Sequence, residues 1–201
     1  MHRARLRAVV ALIALLLLTA CDGTPKVSAP DESNVKLDTP AYRAVKQQAG
    51  IEDCPAARTT DGGLPKTSLP CLGGGRRVDL STLHGPLLLN FWWSGCVPCQ
   101  KEMPALATFY KQYGDRVPGR GIDSSDTMPG AALDLAKASG VTYPLVADVG
   151  QDLQGTDLTI RGYPSFYFLT ADGDLKGPVA GGLDTVDQVV AMVEDQLGIT
   201  L

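Results

Sequence analysis

"NFWWSGCVPCQKEMP", residues 90–104, brings apolar bulk, two thiols three positions apart and two prolines into one short run. Three readings are open for Cys96 and Cys99: a redox pair, two metal ligands, or small buried side chains. The stretch that leads in, "PLLLNFWW", is continuously apolar and of strand length, as expected for a strand covered on both faces. The stretch that leads out places Met103, Leu106, Ala107 and Tyr110 at helical spacing up to Gly114. The thiols therefore fall at a strand-to-helix junction, with Cys96 at the helix N-terminus. Unpaired backbone N–H groups and the helix dipole stabilise an anion there, which favours the thiolate, the attacking species. Cys99 sits one turn inward, better shielded, and can attack a mixed disulfide from within the molecule. Pro98 costs little, because the first turn has no N–H bond to lose.

Working outward, element types alternate. "AYRAVKQQAG" predicts a short helix closed by Gly50. "KTSLPCLGG" and "RRVDL" predict two short strands separated by Gly73, Gly74 and Gly75. Pro129 opens a helix over "GAALDLAKASG" that Gly140 ends. "FYFLT", the turn "ADGD" and "LKGPVA" predict an antiparallel pair. Val186, Val189, Val190, Val193 and Leu197 form one helical stripe, with Asp184 available as N-cap. "DRVPGRGIDSSD" stands where a central strand is wanted, although Pro118 is a poor residue for one. The pattern as a whole predicts an α/β sandwich, with one domain over residues 41–201 and no internal repeat.

The N-terminus sets the compartment. "MHRARLR" carries three arginines and no acid, and residues 8–20 are apolar but short for a membrane span. With "LTAC" at its end, residues 1–20 look like a bacterial lipoprotein signal, in which Cys21 becomes the lipidated first residue of the mature chain. Ordinary cleavage and an uncleaved anchor are the alternatives. Acylation at Cys21 would hold the chain on a membrane surface, and the domain is expected outside the cytoplasm. Residues 21–40 are polar, carry Pro25, Pro30 and Pro40, and read as a flexible tether. Loss of residues 1–20 takes three of the 18 basic residues, against 22 acidic ones, leaving a formal charge of about −7. So acidic a chain argues against nucleic acid as partner.

Without Cys21, four cysteines remain, and outside the cytoplasm two disulfides are expected rather than four free thiols. A Cys96–Cys99 bond closes so small a loop that it would constrain almost nothing, whereas Cys54–Cys71 would close about 18 residues, worth about 3 kcal/mol. The expected division is a structural disulfide at Cys54 and Cys71 and a working pair at Cys96 and Cys99.

Two blocks, "NFWWSGCVPCQKEMP" and "RGYPSFYFLTADGDLKG", together resemble the thioredoxin fold, and more narrowly the membrane-anchored TlpA/ResA/DsbE-type thiol–disulfide oxidoreductases of bacteria. The resemblance runs from about Leu64 to Leu197. "LPCLGGGRRVDLSTLHGP" is similar to the extra N-terminal β-hairpin of that group, in a version suggestive of actinobacteria. It implies a central mixed sheet flanked by helices, with Cys96 as nucleophile and Cys99 as resolving thiol. It also implies Pro164 as a cis-proline beside the thiols, with Tyr163 before it to pair with an extended substrate segment. Pro104 matches a proline that kinks the active-site helix. Glu102 matches the acid of the "C-x-x-C-x-x-E-x-P" pattern, either a proton-handling group or a solvated helix residue. Trp92 and Trp93, at a strand end, are candidates for the site wall.

Two positions depart from the pattern. Gly95 stands where most relatives carry tryptophan, which leaves Cys96 more open unless Trp93 substitutes. Asn90 stands where thioredoxins carry a buried aspartate, and an amide cannot take a proton. Implied partners are protein thiol or disulfide substrates and a membrane redox protein of the DsbD/CcdA or quinone-linked type, with a monomeric chain and no cofactor. Reductase in cytochrome c maturation and oxidase of secreted proteins need the same two thiols and differ in redox poise. A copper-binding reading would need further ligands beside the pair, and His84 is the sole histidine after residue 20. A peroxiredoxin-type peroxidase would want threonine or serine three before the nucleophile and proline seven before, where this chain has Trp93 and Leu89.

Overall fold

A computed structural model of the 201-residue chain describes residues 34–56 and 60–201. The signal over 1–20, lipidation at Cys21 and the tether as far as residue 33 lie outside the described residues. In chain order the elements are α1 (Pro40–Ala49), β1 (Ser68–Leu69), β2 (Val78–Asp79), a 3₁₀ turn (Leu80–Thr82), β3 (Leu87–Trp92) and α2 (Val97–Tyr113). Then come β4 (Gly119–Ser124), α3 (Pro129–Ala138), β5 (Leu145–Asp148), β6 (Ser165–Leu169), β7 (Leu175–Ala180) and α4 (Val186–Leu197).

The main sheet runs in the order β5-β4-β3-β6-β7. Strands β3, β4 and β5 are parallel, and β6 pairs antiparallel with both β3 and β7. This is the thioredoxin-like α/β fold, a central mixed sheet with its helices. Strand β3 sits in the middle and is buried at every position. Its period of two divides the core. Leu88 and Trp92 face the cluster built with Met103, Leu106 and Phe109 of α2, Leu133 of α3 and Val189 and Val193 of α4. Leu87, Leu89 and Phe91 face the opposite cluster, with Leu69, Val78, Leu80, Ile122 and Tyr167.

The extra hairpin is present as β1 against β2, in register Leu69 with Val78. It is fastened to the sheet edge by a Cys71–Val146 bridge and by bonds from Leu72 N–H to Leu145 C=O (2.9 Å) and Ala147 N–H to Pro70 C=O (2.9 Å).

Several expectations are refined. The strand around "VPGRGIDSS" forms because β4 starts at Gly119, immediately after Pro118, whose C=O accepts from Leu88 N–H at 3.0 Å. Proline thus gives the ladder only its carbonyl, and the N–H it lacks is not called on. Strand β5 carries no sequence signal of its own: its four residues are too few to show a period. The N-cap of α4 is Thr185, not Asp184, because Thr185 and Gln188 form a reciprocal capping box. Residues placed in the tether also reach the domain: Leu37 packs on the helix-side core, its C=O accepts from Gly73 N–H, and Asp38 pairs with Arg43.

Candidate active site

Strand β3 delivers the chain to the C-terminal edge of the sheet, and α2 begins there with Cys96 as its N-cap. Cys96 Sγ accepts the Cys99 N–H at 3.2 Å, so one of the orphan donors of the first turn points at this sulfur. The two cysteines form a disulfide with Cα atoms 5.2 Å apart. Cys96 keeps 6% of its surface in solvent and Cys99 none, the asymmetry that an outer attacked sulfur and an inner resolving one require. Val97 and Met128, 57% and 51% exposed, are the exposed large apolar side chains among the described residues.

Behind the thiols, one turn further along α2, Glu102 has no exposed surface. Its Oε2 accepts from Gly182 N–H (2.8 Å) and Leu183 N–H (3.5 Å), and its Oε1 accepts from the Asn90 amide (3.3 Å). Burial pushes its pKa up to about 7, with the Asp184 charge adding to the rise, while those three donors pull against it. Asn90, which cannot itself take a proton, therefore holds the acid that can. A Cβ at Gly181 would come within 2.6 Å of both Glu102 Oε2 and Pro164 Cγ, so the carboxyl lies against the proline of the second block.

The Tyr163–Pro164 bond is cis. Pro164 C=O accepts from Gly181 N–H at 3.0 Å, and Tyr163 Oη is anchored by Ser124 C=O and the Ser125 hydroxyl. Pro104 lies inside α2, with its ring on the exposed side. Trp92 and Trp93 are not both wall residues. The β3 alternation turns Trp92 into the buried cluster that also holds Cys99, with no surface exposed. Trp93 alone reaches the surface, its ring lying against Gly95 in the space a side chain there would fill. His84 precedes β3, at the strand's far end from the thiols, with Nε2 3.1 Å from Thr60 Oγ1. The fold does not bring it to Cys96 and Cys99. Cys54 and Cys71 form the second disulfide, Cα atoms 6.0 Å apart, on the hairpin side of the sheet.

Two acids in "DSSDTMPG" join the site without belonging to either motif block. Asp126 is buried, and its carboxylate accepts from Ser94 N–H (2.8 Å) and Met128 N–H (2.7 Å). It ties the segment just before Cys96 to the loop after β4, while the Gln100 amide donates to Ser94 C=O at 2.7 Å. An aspartate two residues before a chain turn entering a Pro-started helix is the signal that was available. Asp123, inside β4, is wholly buried; burial first and the Asp126 charge second push its pKa well above the usual carboxylate range.

A thioredoxin-like sheet with a Cys96–Cys99 disulfide at the N-terminus of its central helix defines the class. The chain belongs to the AhpC/TSA family, whose model matches residues 62–177. It is similar to the thiol-disulfide oxidoreductase ResA of Bacillus subtilis (strain 168), 31% identical over 112 residues, covering 53% of this chain and 60% of that one. ResA of Bacillus anthracis is 29% identical over 109 residues, 53% of this chain and 62% of the relative. The chain thus spans about three fifths of these relatives. Among solved structures, MTB dsbF matches with TM-score 0.56 at 22% identity, covering 68% of this chain and 98% of that one. A thiol:disulfide interchange protein from Chlorobium tepidum matches with TM-score 0.52 at 23% identity, over 69% and 99%. At these identities the two structures speak for the fold.

Proposed function

We propose that this chain is a thiol–disulfide oxidoreductase that exchanges disulfides with protein substrates through Cys96 and Cys99. The observation that carries the reading is the Cys96–Cys99 disulfide on the first turn of α2, outer sulfur at the N-cap and inner sulfur sealed.

In the reducing direction the Cys96 thiolate, held by the helix N-terminus, attacks a substrate disulfide and forms a mixed disulfide. Cys99 then attacks Cys96 Sγ, releasing the substrate as thiol and closing the Cys96–Cys99 bond. The proton leaving Cys99 goes to Glu102, which lies on the same buried face of α2 three residues on and is poised near neutrality. Val97, Met128 and Trp93 form an apolar rim suited to an unfolded or extended polypeptide. Tyr163 makes no backbone hydrogen bond with other described residues, so its main chain is free to pair with such a segment. Pro164 closes the other side.

The finer assignment is extracytoplasmic, with a lipid anchor at Cys21, a membrane redox partner, and the reductase direction in cytochrome c maturation. Its support is the N-terminal signal pattern and the resemblance to the ResA-type proteins. The experiment is an equilibrium redox titration of the full chain against glutathione, with thiol alkylation and mass measured at each point. A Cys96–Cys99 potential well below the glutathione couple is expected. A potential in the DsbA range would reverse the direction to oxidase of secreted proteins. Absence of any titrating bond at this pair would overturn the redox reading.

A further inference from the structure

The second disulfide has its own chemistry. Lys46 of α1 is 5% exposed, yet its ammonium is fully engaged: it donates to Cys71 Sγ at 3.4 Å, to Gly74 C=O at 3.1 Å and to Asp53 Oδ1 at 2.9 Å. Asp53 adjoins Cys54 in sequence and is itself 92% exposed. The cation thus grips both sides of the bond. The two sulfurs are not equivalent. Cys71 Sγ faces an ammonium, whereas Cys54 Sγ lies 3.4 Å from the Leu145 carbonyl oxygen. An anion is favoured on the first and disfavoured on the second. Exposure divides them the same way as at the active pair: Cys54 keeps 7% of its surface in solvent and Cys71 2%. Cys54 is thus the less deeply buried of the two residues, and its partner is the sulfur that can leave as a thiolate.

We propose that Cys54–Cys71 is a second thiol–disulfide exchange site, opened by low-molecular-weight thiols that attack Cys54 while Cys71 departs as a thiolate held by Lys46. A thiolate forms a bond to Cys54 Sγ, the Cys54–Cys71 bond breaks, and its electron pair goes to Cys71. A second thiol attacks the mixed disulfide, releasing Cys54. Two thiols become one small-molecule disulfide, and their two protons end on Cys54 and Cys71. Leaving-group stabilisation of this kind speeds exchange.

The opened state keeps its scaffold. The Cys71 segment is held to β5 by the Val146 bridge and the Leu72 and Ala147 bonds, and the Cys54 segment by Glu52 N–H to Thr142 C=O at 2.8 Å. Lys46 also retains its bonds to Asp53 and Gly74 when the sulfurs part. Both cysteines therefore stay placed to close again. Cys54 and Cys71 lie in the hairpin-side cluster and Cys96 and Cys99 in the helix-side one, so this site takes electrons from a diffusing thiol and not from the active pair of the same chain.

The test uses the full chain carrying Cys96→Ser and Cys99→Ser, in native buffer with reduced glutathione as the probe, followed by alkylation and peptide mass. Opening should be first order in glutathione. Lys46→Met should slow it about tenfold through the lost stabilisation of the leaving thiolate. Asp53→Asn should speed it, because it removes the carboxylate paired with Lys46 and frees the ammonium for Cys71. A Lys46 that merely clamps the fold gives the opposite sign for Lys46→Met, since loosening the region exposes the bond. Faster opening in Lys46→Met overturns the proposal, as does opening at a rate independent of glutathione. Should Lys46→Met fail to fold, the exposed Asp53→Asn variant decides alone: no acceleration overturns it.

Discussion

The two disulfides are the same bond placed in two different pieces of chain. Cys96–Cys99 joins residues three apart at the end of a buried strand, and Cys54–Cys71 joins residues 17 apart between a loop and the hairpin. The first removes almost no freedom from the unfolded chain, and the second removes a large loop's worth. Their electrostatics differ as well. The first pair has backbone N–H groups of a helix start in front and a neutral-range carboxyl behind. The second has a side-chain ammonium at one sulfur only. What a disulfide does is therefore set by loop length and by which sulfur its surroundings prepare to carry charge.

The widest separation of the two comes from Cys96→Ser. Exchange with a protein disulfide should fall by at least 10³-fold, to the level of the uncatalysed background, with the melting temperature little changed. Cys99→Ser should instead leave Cys96 able to attack and accumulate a stable mixed disulfide, visible by mass. If Cys99→Ser releases substrate at the native rate, resolution does not run through Cys99.

Glu102→Gln comes next. Glutamine keeps an acceptor for Gly182 N–H but cannot take the Cys99 proton, so turnover should drop about 10²-fold and its pH profile should lose the inflection near pH 7. Stability responds with a defined sign. The folded chain holds a proton on Glu102 that the unfolded chain releases above its ordinary pKa of 4.5. The contribution is complete below that value and is lost as pH rises through about 7, amounting to about 3 kcal/mol. Asp123 slopes the same way. Glu102→Gln should therefore make the decline of stability between pH 4.5 and 7 shallower without abolishing it, as denaturant titrations at several pH values would show.

Cys54→Ser with Cys71→Ser is the reciprocal experiment. It should lower stability by about 3 kcal/mol while Cys96 remains nucleophilic toward an alkylating probe. Loss of exchange in a folded double variant would mean that the second pair feeds the first.

Both pairings were legible in the sequence because loop length and local position are properties of the chain itself. So were β3, α2 and the hairpin, whose patterns are long or punctuated by glycine. The surroundings of the sulfurs were not. Lys46 lies 25 residues from Cys71, and nothing in "AYRAVKQQAG" distinguishes the lysine that folds inward from Lys36 or Lys66. Glu102 was visible as a position but not as a buried acid, because its burial depends on Gly181 and Gly182, some 80 residues on. Trp92 and Trp93 were a pair in sequence, and only the strand's alternation separates core from surface. Residues 145–148 make a strand because β4 lies on one side of them and the Cys71 segment on the other.

The smallest effect should come from Asp126→Asn, and it bears on one pair alone. The carboxylate accepts two backbone N–H groups, Ser94 through one oxygen and Met128 through the other. An asparagine has one carbonyl oxygen, so one buried N–H would face an amide that donates rather than accepts, costing about 1–3 kcal/mol. The cost falls on the segment Trp93–Gly95 that aims Cys96 at α2, and on Met128 at the apolar rim. Exchange at Cys96 should slow by a few-fold, about what one misplaced hydrogen bond in the approach to a nucleophile costs. Asp123 should also titrate at lower pH, having lost the charge of Asp126. Glutathione opening of Cys54–Cys71 should not change, because that bond is held from β5 and α1 and shares no hydrogen bond with Asp126. Equal slowing at both pairs would show that the loop after β4 supports the sheet as a whole, and Asp126 would then have no particular claim on the active thiols.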